Sequence, residues 1–172
     1  QKEEEIILDG ETMGALFVSD VSRDGKKILC YGQQKGTGQG ELYYVDLIER
    51  KKYQLTKNRL QEWGGVFSSD EKWLAYTSEK DMEGSFAIYL NRFPEMNDEI
   101  RISVGGGEEP KWLPDGSAVY YRNGSKWMKV VLDLKGEPEI GEPELFFEGD
   151  YVNVWGPSHD IFPDGRILLL KG

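Results

Sequence analysis

Four aspartate turns divide this chain into a repeat, and no other feature limits its fold as severely. The segments are Val21-Ser22-Arg23-Asp24-Gly25, Phe67-Ser68-Ser69-Asp70-Glu71, Trp112-Leu113-Pro114-Asp115-Gly116 and Ile161-Phe162-Pro163-Asp164-Gly165. In each, an apolar residue leads into the turn and an apolar run follows it. Successive aspartates stand 46, 45 and 49 residues apart. A period of that size means one supersecondary unit used repeatedly, each copy burying its apolar faces against its neighbours.

Aligned on the aspartates, the copies form columns. Three residues earlier stand Val21, Phe67, Trp112 and Ile161. Four residues later stand Ile28, Leu74, Val119 and Leu168, and two further on Cys30, Tyr76, Tyr121 and Leu170. The residues between, Leu29, Ala75, Tyr120 and Leu169, are apolar too. Short runs apolar on both faces and bounded by turn formers read as strands buried on both sides. Proline presets φ, aspartate bonds nearby N–H groups and glycine accepts positive φ, so Asp24, Gly25, Asp70, Asp115, Gly116, Asp164 and Gly165 read as structural turns. Glu71 stands where the other copies have glycine, and that hairpin has to tolerate a side chain.

Third strands are expected at Leu42–Val45, Phe86–Leu90 and Trp127–Val131, and fourth strands at Tyr53–Thr56, Ile100–Val104 and Leu145–Phe147. Asn123-Gly124 is a strong hairpin signal between the second and third strands of its copy. No window keeps helical spacing with caps. Four antiparallel strands per copy make the chain all-β, a β-propeller of about three and a half blades. The blades run from about 15 to 57, 62 to 104 and 108 to 148, with a half blade at about 158–171 and a stray outer strand at about 5–9. Closed propellers typically have four to eight blades. Either the stray strand completes the last blade of a small ring, or the arc is partial and completed by missing blades or by a second copy in a homodimer; the partial arc is the favoured expectation.

With 31 acidic and 21 basic residues the net charge is −10. That field disfavours nucleic acid, whose binding needs clustered Lys and Arg. No apolar run is long enough for a membrane-spanning helix, so no membrane insertion of this segment is expected. Cys30 has no cysteine partner, which suits the cytoplasm and the bacterial periplasm alike.

The columns resemble TolB-like propeller repeats, whose hallmark is a strand, a Ser/Pro-Asp-Gly turn and a strand ending in tyrosine. The segment from Gly105 to Gly116, continued by Val119-Tyr120-Tyr121 and Lys126 to Val130, is similar to the last complete blade of propellers attached to bacterial eukaryotic-like Ser/Thr kinases. Glu144-Leu145-Phe146-Phe147 and His159 to Arg166 extend that likeness. The resemblance implies a noncatalytic binding or sensor module, periplasmic or otherwise extracytoplasmic, with a protein or small ligand at the channel mouth. The alternative it carries is a substrate-gating propeller belonging to a larger hydrolase.

Ser158-His159-Asp160 invites a triad reading. Adjacent residues of an extended segment point to alternate faces, so no relay is expected, and the Gly-x-Ser-x-Gly pattern is absent. Gly32 to Gly40 contains Lys-Gly-Thr rather than the Gly-Lys-Ser/Thr of a phosphate loop, and a mobile hairpin loop fits better. No histidine or cysteine stands near enough to His159 in sequence for zinc, and no spacing supports a calcium loop; neither a metal nor a cofactor is expected. Phe67, Trp112, Tyr76 and Tyr121 belong to the columns and are expected in the core. Trp63 and Trp155 precede the first strands of their blades, and with Glu62, Glu109 and His159 they are the candidate recognition surface.

Overall fold

The computed structural model describes residues 13–34, 36, 39–57, 60–81, 84–153 and 158–171. Every regular element among them is a strand. The first sheet has β1 (Met13–Val21), β2 (Lys27–Gln34), β3 (Gly40–Asp46) and β4 (Lys51–Gln54), and the second has β5 (Glu62–Phe67), β6 (Trp73–Ser78), β7 (Ala87–Arg92) and β8 (Ile100–Arg101). The third contains β9 (Glu108–Trp112), β10 (Ala118–Asn123), β11 (Lys126–Asp133), β12 (Glu139–Ile140) and β13 (Glu144–Glu148). A last pair is β14 (His159–Ile161) with β15 (Ile167–Leu169). Within the first two sheets the strands pair antiparallel in chain order, and the first strands of successive sheets contact one another. The chain is thus a partial β-propeller. The stray outer strand expected near residues 5–9 lies outside the described residues.

The third sheet departs from the simple repeat, because β11 pairs with both β12 and β13 along its outer edge. An eight-residue strand is long enough to hold two short partners end to end. The fourth strand of the second sheet shrinks to Ile100–Arg101, since Ile102 and Ser103 bond back to Ile88 one at a time.

The four turns share one mechanism. Gly25, Glu71, Gly116 and Gly165 each donate N–H to the carbonyl three residues back, at 2.8–2.9 Å. The aspartates accept the amide two residues on: Lys26 on Asp24, Lys72 on Asp70, Ser117 on Asp115, and Arg166 on Asp164. The residue after each aspartate has positive φ, 69° at Gly25, 75° at Gly116 and 83° at Gly165. Glu71 adopts 57° all the same. Its carboxylate accepts the Arg23 N–H of the preceding turn at 2.7 Å, an offsetting contact glycine could not make.

Alternation across β6 explains its unbroken apolar run. Leu74 and Tyr76 pack towards the first sheet with Leu29, Leu42 and Phe67, while Trp73 and Ala75 pack towards the third with Trp112, Val119 and Tyr121. Both faces of the second sheet are therefore core. Phe67, Trp112, Tyr76 and Tyr121 are all buried. Val21, in the same column as Phe67 and Trp112, is half exposed, because no described sheet covers that side of β1.

Candidate functional site

Two cavities mark the two ends of the inner strands. At the end where these strands finish, Val21, Phe67, Trp112 and Ile161 line one cavity of about 430 Å³. One sequence column from all four copies meets there, as expected for strands arranged about a common axis. At the other end lies an aromatic cleft of about 540 Å³.

Repeat geometry builds that cleft as well. Phe17, Trp63 and Glu108 each stand seven residues before their aspartate, and all three line it. Tyr31 and Phe86 complete the aromatic wall. Phe17 stacks on Tyr31 with centroids 5.1 Å apart, Tyr31 tilts against Trp63 at 6.4 Å, and Trp63 meets Phe86 edge-on at 5.9 Å. Such offset and edge contacts suit the ring quadrupoles. Gly40 admits the start of β5: a Cβ there would stand 3.2 Å from the Glu62 carbonyl oxygen. Gln33, Gln61 and Asn153 are the carboxamide-bearing residues of the lining.

Behind the cleft lies a polar cluster joining the third sheet to β14. Glu109 has φ 56° at a bulge between β9 and β10. Its Oε2 accepts the Ser158 N–H at 2.8 Å and the Ser158 Oγ–H at 2.5 Å, and faces His159 Nδ1 at 3.3 Å. Burial alone would raise the Glu109 carboxyl, but hydrogen bonds from His159 and Ser158 outweigh it, and the group lies below its usual range. An ionised Oε2 requires the proton on His159 Nδ1. The imidazole then stands edge-on over Trp127 at 4.4 Å.

Arg122 ties the same region together. Its Nε donates to the Gly124 carbonyl, Nη1 to Val152 and Nη2 to Tyr151, at 2.8–3.0 Å. These bonds fix the segment that carries Asn153 to the cleft. Beside it, Glu108 is half-buried, its carboxyl raised by burial and by the Glu109 charge, with Arg122 opposing.

The sequence candidates therefore divide. Trp63 is part of the cleft wall. Glu62 lines the cleft but is fully buried, and Glu109 and His159 are 3% and 5% exposed. Glu62, Glu109 and His159 are thus buried side chains, whereas Trp63 stands in the cleft wall. Trp155 lies outside the described residues. The alternation expected of Ser158 and His159 also fails. Ser158 precedes β14, and one oxygen of Glu109 meets both side chains. The carboxylate stands between hydroxyl and imidazole, so the hydroxyl donates to the carboxylate and not to the imidazole. Phe17, Tyr31, Phe86 and Glu108 were not singled out from sequence. The position seven residues before each aspartate was the signal that could have found Phe17 and Glu108.

Among the described residues no group of three His, Cys, Asp or Glu side chains is arranged to hold a metal ion, and no helix is long and apolar enough to cross a membrane.

These sheets and cavities define a propeller of four-stranded blades, and comparisons sharpen the class. No family model matches the chain. The Tol-Pal system protein TolB of Desulfosudis oleivorans is 26% identical over 105 residues, 61% of this chain and 22% of that protein. A putative TolB from Agrobacterium tumefaciens superposes with a TM-score of 0.67 at 19% identity, over 91% of this chain and 57% of that one. TolB from Acinetobacter baumannii gives 0.67 at 20% identity, over 95% and 39%. The chain has a TolB-like propeller fold and spans less than two thirds of the length of each of these relatives. A prolyl endopeptidase superposes less closely, at 0.57 and 14% identity over 94% of this chain and 27% of that one. The shared fold therefore does not decide for or against catalysis.

Proposed function

We propose that this chain is a noncatalytic recognition module of TolB-like propeller type, acting outside the cytoplasm, with the aromatic cleft as its binding site for a protein or ligand. The observation that carries this reading is the cleft itself: four rings from two sheets converge on one concavity with a few polar groups at its wall. Sites that recognise ligands combine an apolar concave surface with a small number of orienting polar groups in this way. The acid–imidazole pair nearby supports the same reading. Glu109, Ser158 and His159 are all buried, so this cluster joins strands and is enclosed away from a substrate.

The test has two arms. Trp63→Ala and Phe86→Leu should weaken capture of a bound peptide or ligand at least tenfold while the circular dichroism spectrum stays that of the parent. A screen of peptide, ester and glycan substrates should show no turnover. Turnover that disappears in Ser158→Ala would overturn the noncatalytic reading.

A further inference from the structure

The cleft has a definite charge character. Glu62 and Glu108 line it, and among the described residues no Lys, Arg or His does. Among the described residues the Glu108 carboxylate has no ion pair within 4.0 Å; Arg122, across the strand pair from it, spends its donors on the carbonyls of Tyr151, Val152 and Gly124. Aromatic faces attract cations through the ring quadrupole, and a partly desolvated carboxylate beside them adds a fixed negative charge. The net charge of −10 adds long-range attraction for a cation and repulsion for an anion. A purely apolar ligand would cover Glu108 and leave it desolvated without a partner, an unfavourable outcome.

The other wall groups narrow the source of that cation. Gln33, Gln61 and Asn153 are among the lining residues, and a carboxamide side chain carries both donor and acceptor, the complement of peptide N–H and C=O groups. A cleft of about 540 Å³ is also several times larger than an ammonium group needs, and has room for the flanking backbone.

We propose that the cleft binds a Lys or Arg side chain presented by an extended peptide segment of a partner protein. The aromatic wall formed by Phe17, Tyr31, Trp63 and Phe86 receives the alkyl stem and charged head, Glu108 pairs with the head, and the carboxamides hold the adjoining backbone. This assignment rests on the recognition reading above and adds the chemistry of what is recognised.

The experiment uses the full 172-residue chain labelled with ¹⁵N. Capped tripeptides Ala-X-Ala, with X as Lys, Arg, norleucine or Glu, are titrated while the Trp63 indole and Asn153 amide signals are followed. The lysine and arginine peptides should bind at least tenfold more tightly than the norleucine peptide. That preference should close in Glu108→Gln and narrow in high salt, while the Glu peptide should not bind. Equal binding of norleucine and lysine would sink the cationic assignment and leave the recognition reading standing. Tighter binding of free choline, or of a neutral trisaccharide, than of the lysine peptide would refute the peptide source. If no probe moves the cleft signals of the folded protein, both the assignment and the recognition reading fall.

Discussion

Removing the Glu109 carboxylate is the most direct test of how the third sheet is joined to β14. Three donor groups converge on one oxygen: the Ser158 amide, the Ser158 hydroxyl and His159 Nδ1. In Glu109→Ala the amide and ring N–H lose their acceptor inside a closed region, at about 1–3 kcal/mol per orphaned buried group. The ring contact is long at 3.3 Å and counts at the low end. The sum is about 3 kcal/mol of lost stability. The backbone contributes separately, because φ at this position is 56° and a Cβ is unfavourable there. Glu109→Gly removes the same hydrogen bonds but releases that strain, so it should be about 1 kcal/mol more stable than Glu109→Ala. Urea unfolding followed by tryptophan fluorescence, with linear extrapolation, measures both differences. The pH dependence has a defined sign. Hydrogen bonding holds the folded carboxyl below its ordinary value of 4.5, despite the burial that opposes it. Its stabilisation is complete above that value and is lost as pH falls through the lower folded-state value. The advantage of the parent over Glu109→Gln should therefore be full at neutral pH and shrink in strong acid. An alanine variant within about 1 kcal/mol of the parent, or a glycine variant less stable than the alanine one, would refute the reasoning.

Gly107→Ala should lower stability by about 1–3 kcal/mol through overpacking. Its Cβ would stand 2.8 Å from Tyr121 Cδ2 and 3.0 Å from Ile88 Cγ1, and calorimetry should show the lower Tm. Glu71→Gly exchanges the Arg23 hydrogen bond for relief of positive φ, so its urea midpoint should move little, within about 0.5 kcal/mol of the parent. The Cys30 thiol is pushed up to about 11 by burial, with only a weak opposing pull from Lys52. It should not react with Ellman's reagent at pH 8 in the native protein and should react promptly once urea unfolds it.

Much of the scaffold was legible because the fold imposes it on every copy. The turns recur since each inner hairpin needs a residue of positive φ after an aspartate that caps the following amides, and the sequence shows that need directly. The same is true of β6, where burial on both faces forces an apolar run. Exceptions had local causes that a periodic reading misses. Glu71 is tolerated because of a hydrogen bond to a turn 48 residues away in sequence. The added pairing of β12 depends on the length of β11, which Asn123-Gly124 marks at one end only. In the site, Trp63 was visible as an aromatic outside the core columns, although it lies within β5 and not before it. Its companions were hidden because Phe17, Tyr31 and Phe86 look like ordinary strand residues until two sheets bring them together.

One position shows how a repeat acquires individual roles without losing its frame. Six residues before the aspartates stand Val18, Gly64, Glu109 and Ser158. The bulge at this level leaves Gly64 at φ 63° and Glu109 at 56°. In the second sheet glycine meets the backbone requirement, and a side chain there would approach Thr77 Oγ1. In the third sheet the Glu109 N–H donates to that same Thr77 oxygen, at 3.2 Å, while its carboxylate captures Ser158, the equivalent residue of the next copy. A strained glutamate thus links neighbouring copies of the unit on both sides, and Glu108 beside it is placed on the cleft. The aspartate end of each strand repeats because turn geometry permits little else. The opposite end is free to differ between copies, and that freedom is why the aromatic and polar groups of the proposed cleft collect there.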